Sequence, residues 1–101
     1  MSIRIGKVVI PKSPNARYKV EGYTGGQLAI RGYVRSDDEE RKLTVERLYQ
    51  LREGSIVDIE IATDEGDMLT GTYRINELTW RNEQKKDGDY ELMFNIGLHK
   101  Q

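Results

Sequence analysis

The sequence predicts a mainly β chain with one helix: an antiparallel β-sandwich or partly closed barrel of about six strands, with the helix near 43–53. Three observations lead there. Residues 90–99 alternate without a break, with Tyr90, Leu92, Phe94, Ile96 and Leu98 on one parity and Glu91, Asn95 and His99 on the other. Strict period two marks an antiparallel strand with one wet face. Residues 17–35 read as two alternating runs around Thr24-Gly25-Gly26, a hairpin with glycines where positive φ is needed. A helical spacing appears in one place, at Val45, Leu48 and Leu51.

The elements follow in order. Residues 3–10 form an opening strand, with Ile3, Ile5, Val8 and Ile10 inward and a bulge at Gly6-Lys7 where the parity changes. Pro11 and Pro14 end it in a loop. In the hairpin, Tyr18 and Val20 face inward on the first strand, and Leu28, Ile30, Gly32 and Val34 on the second. Residues 36–40 are a polar break, in which Ser36 and Glu39 match a capping box. Thr44 is a second cap candidate, and Gly54 supplies the stop of a helix over 43–53, which the four acids at 37–40, suited to a helix N-terminus, either extend or leave.

Val57, Ile59 and Ile61 define the next strand, and 63–67 a turn. Residues 68–80 are a long strand whose inward parity passes from Leu69, Gly71, Tyr73 and Ile75 to Leu78 and Trp80, which requires a bulge near Asn76-Glu77. A charged hairpin loop over 81–88 leads to the final strand.

The 101 residues suit a single domain, 1–101. Leu, Ile, Val and Phe supply 24 residues for a core, while charged residues reach 33%, so the exterior is strongly charged. There is no cysteine, which removes disulfides and thiolate metal sites. No apolar run is long enough to span a bilayer, and the N-terminus lacks the apolar stretch of a signal peptide. Synthesis in the cytoplasm is the plain expectation.

The net charge of −1 hides a segregation. Residues 1–35 carry seven Lys or Arg against one acid, Glu21, whereas 36–67 carry four basic and eleven acidic residues. The two segments either neutralise each other within the fold or lie on opposite faces and pair between neighbouring copies. The candidate interface residues are therefore Arg17, Lys19, Arg31 and Arg35 on the basic side and Asp37, Asp38, Glu39 and Glu40 on the acidic side.

Catalytic chemistry finds little support. The single histidine, His99, sits near the C-terminus and reads as a surface residue, and no nucleophile elbow or phosphate loop occurs. The acids at 37–40 are adjacent and splay rather than converge. Asp64-Glu65-Gly66-Asp67 lacks the spaced ligands and distal glutamate of a calcium loop and reads as a turn. The chain is thus expected to be non-enzymatic, with no cofactor and no metal. Nucleic-acid binding is a rival: the basic residues of the first third interleave with Tyr18, Tyr23 and Tyr33, the chemistry of single-strand binders, although the overall charge is slightly acidic. A cytoplasmic adaptor domain that binds protein is another.

From Leu43 to Leu98 the order of elements resembles a family. A short helix (Leu43-Thr44-Val45-Glu46-Arg47-Leu48-Tyr49-Gln50-Leu51) is closed by Gly54. The strand Ile56-Val57-Asp58-Ile59-Glu60-Ile61 follows, then Gly71-Thr72-Tyr73-Arg74-Ile75-Asn76-Glu77-Leu78-Thr79-Trp80, a polar hairpin, and Tyr90-Glu91-Leu92-Met93-Phe94-Asn95-Ile96-Gly97-Leu98. This is similar to the β-proteins of phage tails and baseplates, including tube, distal-tail and hub-associated subunits. The resemblance implies a virion structural protein that joins neighbours in a homo-oligomeric ring, often sixfold, through strand edges, together with other tail or baseplate proteins. It implies no catalytic residue. The short chain favours a baseplate, connector or completion piece over a tube subunit.

Overall fold

The computed structural model describes residues 3–10, 16–22, 25–35, 39–63, 65–86 and 90–101. Its elements are β1 (Ile3–Ile5), β2 (Val8–Ile10), β3 (Ala16–Glu21), β4 (Gln27–Arg35), α1 (Glu39–Tyr49), β5 (Ile56–Ala62), β6 (Met68–Gln84) and β7 (Tyr90–Lys100). The chain is mainly β with one helix, and every strand pairing is antiparallel. All seven strands belong to one sheet, in the order β2-β1-β5-β6-β7-β4-β3, and the sheet is not closed into a barrel.

One face of this sheet is dry. Ile3, Ile5, Ile10, Leu28, Ile30, Ile59, Ile61, Ile75, Leu92, Ile96 and Leu98 are all buried on it. Seven strands spaced about 4.8 Å apart would span roughly 30 Å if flat, whereas one helix covers about 10 Å. The single helix cannot shield that width, so the sheet must curl over itself. In keeping with this, residues of β1 and β2 and residues of β3 and β4, from opposite ends of the strand order, join one apolar cluster with Leu48 and Leu51 of the helical segment.

The period-two assignments hold for β4, β5 and β7. The parity change in β6 is also present, as a bulge between Ile75 and Glu77 in its pairing with β7. Strand β6 runs on to Gln84, through residues expected to form a loop, because β7 pairs with it as far as Gln84 opposite Tyr90.

Three expectations need correction. The opening strand is a hairpin rather than one bulged strand. Ile5 pairs with Val8, and Gly6, at φ 62°, takes the backbone round between them. The four apolar side chains still share the inner face. The helix runs from Glu39 to Tyr49, four residues earlier than expected at both ends. Arg41 and Thr44 are buried along it, and Val45, Leu48 and Leu51, the last beyond its end, pack on the core as the spacing predicts. Leu43 remains partly in solvent. Thr44 is not a cap: it lies inside the helix and donates its hydroxyl to the Glu40 carbonyl at 2.8 Å. Ser36 lies outside the described residues.

The hairpin turn is longer than expected. Gly25 and Gly26 do have positive φ, 71° and 79°, but the last β3–β4 pair is Glu21 with Ala29, so the connection exceeds two residues.

Candidate functional site

Strands β3 and β4 place alternate side chains on the outer face of the sheet. Burying Tyr18, Ile30 and Val34 inward forces Arg17, Lys19, Arg31 and Arg35 outward. The register makes Lys19 and Arg31 direct cross-strand partners and sets Arg17 opposite Tyr33. Arg35 lies opposite Glu91 of β7. All four basic candidates therefore share one face.

Like charges directly opposite each other repel, and Glu21 relieves this pair. Its carboxylate lies 3.3 Å from Arg31 Nε and 3.9 Å from Lys19 Nζ. The basic first third thus supplies its own counter-charge here. A pair that does bridge the basic and acidic segments is Arg4 with Glu60, at 3.3 Å.

Beside this patch sits a polar cluster centred on Glu91. Period two assigns Glu91 to the wet face, yet it is only 7% exposed, because Tyr33 and Lys85 cover it. Tyr33 donates its hydroxyl to Glu91, and Lys85 Nζ is 2.8 Å from the same carboxylate. The Lys85 ammonium, and then the Tyr33 hydroxyl, hold the Glu91 carboxyl below the usual carboxylate range. The same contacts raise Tyr33 and Lys85, with Glu91 the leading cause for each. Between the patch and the cluster runs a shallow groove of about 570 Å³, whose outward-facing lining is Arg17, Lys19, Arg31, Tyr33, Met93 and Asn95.

The acidic candidates lie elsewhere. Asp37 and Asp38 fall outside the described residues. Glu39 and Glu40 form the first turn of α1, where carboxylates complement the helix dipole. Glu39 is 3.9 Å from Lys42. Glu40 is near enough to Tyr18, on the inner side of β3, to disfavour its ionisation, although burial is the leading cause that pushes the Tyr18 hydroxyl up to about 12. Glu40 is therefore on the side of β3 opposite to Arg17 and Lys19.

Arg41 was not singled out by the sequence. It is 6% exposed, with Nη1 2.7 Å from Asn82 Oδ1 and its guanidinium 4.3 Å from the centre of the Tyr90 ring. A buried arginine needs such partners. It ties the helix start to the β6–β7 arm, and the first of two basic residues after four acids gives no local sign of that role.

Among the described residues, no group of His, Asp and Glu side chains is arranged to hold a metal ion. Among the same residues, no helix is long and apolar enough to cross a membrane. Comparison with family models, with curated proteins and with solved structures finds no match.

Proposed function

We propose that this chain is a structural subunit of a phage-like tail, baseplate or contractile injection particle. It works without chemistry, by docking onto further copies of itself and onto other tail proteins. It would be made in the host cytoplasm and act in the virion or tail particle. The observation that carries the reading is the common outer face of Arg17, Lys19, Arg31 and Arg35, with the acidic first turn of α1 on the other side. A small body with opposite signs on opposite sides can dock head to tail, and such docking generates rings when the rotation closes. Among the described residues the unclosed sheet ends at β2 and β3 with no further strand beside them, which adds edges where a neighbouring chain can pair.

Fractionation of tail-like particles from the producing cells tests this. The wild-type chain is expected to sediment with the particles. A folded variant with Arg17, Lys19, Arg31 and Arg35 all changed to Glu is expected to stay in the free-protein fraction. A wild-type chain found only as free protein would overturn the reading.

A second reading has its own observation. Tyr33 is flanked by Arg17 across the strands and by Arg31 and Arg35 along its own, in the groove described above. A ring set among cations is what single-stranded nucleic acid uses for stacking and phosphate contact. Binding to a single-stranded oligonucleotide that weakens steeply as salt rises would favour this reading. No binding at low salt would dismiss it.

A further inference from the structure

The pairing of β6 changes along its length. From Met68 to Arg74 it is flanked by β5, and from Tyr73 to Gln84 by β7. Past Arg74 the β5 side is closed for only a few more residues. Gly54 N–H reaches the Ile75 carbonyl at 2.6 Å, and Ile75 N–H reaches the Ser55 carbonyl at 2.9 Å. Then Leu78 N–H donates to the Glu53 carboxylate at 2.8 Å, so a side chain stands in for the missing strand.

That last contact fixes the orientation of the rest. Leu78 points its backbone groups away from β7. In a regular strand Trp80, Asn82 and Gln84 then do the same. Among the described residues no strand pairs with them on that side. The result is a free edge inside the strand order, longer than the three-residue β2 edge.

We infer that this edge, Trp80 to Gln84 of β6, pairs antiparallel with the same edge of a second copy of the chain, with Asn82 on the two-fold axis. Charge selects both the partner and the register. With Asn82 opposite its own copy, Arg81 of each chain faces Glu83 of the other, on both sides of the axis. Moving the axis to Arg81 sets two arginines face to face, and moving it to Glu83 sets two glutamates face to face. Like charges directly opposite destabilise a sheet, whereas opposite charges stabilise it. In the single chain Arg81 Nε and Glu83 already lie 3.4 Å apart on the outer face, both in solvent, so each can exchange its neighbour for the copy's residue. The chosen register also lets Trp80 exchange both backbone bonds with Gln84 of the copy, and Asn82 with Asn82. On the inner face Tyr49, 70% exposed, stands edge-on to Trp80 with ring centres 5.0 Å apart, an apolar shelf beneath the seam.

This contact goes beyond the tail reading, because it would form in the free chain with no particle present. Sedimentation equilibrium of the purified chain tests it directly. The wild type is expected to approach twice the 11.7 kDa monomer mass as concentration rises. Arg81→Glu alone sets two acids against two acids and should weaken self-association at least about tenfold. Glu83→Arg alone sets four cations together and should do the same. An equimolar mixture of the two single variants should dimerise again, as should the double variant Arg81→Glu/Glu83→Arg. Both positions are exposed, and circular dichroism confirms that each variant is folded. A wild type that stays monomeric overturns the proposal. So do single variants as dimeric as the wild type, or a mixture that does not recover.

Discussion

Phe94 lies across Gly32. The two are cross-strand partners in β4 and β7, and a Cβ on Gly32 would fall 2.0 Å from Phe94 Cζ. Tyr18, the partner of Gly32 on its other side, brings its ring to 5.8 Å from that of Phe94. Two aromatic rings thus cover a stretch of bare backbone, a device that protects glycines in sheets. Gly32→Ala is expected to displace the Phe94 ring and cost about 1–3 kcal/mol by chemical denaturation. Phe94→Leu in the same background should restore part of the loss. An unchanged unfolding midpoint for Gly32→Ala would refute this packing.

The Glu91 cluster predicts a pH dependence with two limbs. A carboxyl held low in the fold stabilises above its unfolded value, about 4.3, and that stability disappears as pH falls through the lower folded value. Tyr33 and Lys85 are raised, so their contribution is complete below about pH 10 and is lost as pH climbs through the folded values. Glu91→Gln should therefore narrow the difference from wild type at both extremes and show it fully near neutrality. Thermal unfolding across pH measures this, and a constant difference from acid to alkali would contradict it.

Tyr18 should resist ionisation in the folded chain. Its burial pushes the hydroxyl up to about 12, against an ordinary value near 10. In an ultraviolet titration, Tyr18→Phe should lose one phenolate from the part of the wild-type curve that rises above about pH 11. A loss confined to the part at about pH 10 would contradict this burial.

Leu48 anchors α1 with no exposed surface. Leu48→Ala is expected to cost about 2–5 kcal/mol, the range for a buried leucine whose cavity does not collapse. Leu43→Ala, on the same helix but partly in solvent, should cost far less. Equal losses at the two positions would contradict the difference in their burial.

Much of the fold was legible locally. The alternation of Leu92, Phe94, Ile96 and Leu98, and the parity change that requires a bulge beside Glu77, both survive in the structure. The helix start was not legible. Its first turn is buried through Arg41 and Thr44, and neither residue carries an apolar signal. The turn at Gly6 read equally well as a bulge, since Ile3, Ile5, Val8 and Ile10 reach the same face either way. Of the candidate surface, the four basic residues could be named from the sequence. That Glu21 sits between Lys19 and Arg31, and that Glu91 is covered by Tyr33 and Lys85, could not.

What the sequence by itself determined is which side chains turn inward along each strand, because period two is a property of neighbouring residues and the hydrophobic effect acts on it directly. What only the tertiary structure decided is who lies beside whom. It set β1 against β5 and β7 between β4 and β6, left part of β6 with no second strand neighbour among the described residues, and put Arg17, Lys19, Arg31 and Arg35 on one outer face while Arg4 pairs with Glu60. Strand partners far apart in the chain are chosen by how the whole sheet curls to close its dry face, and no local pattern encodes that choice.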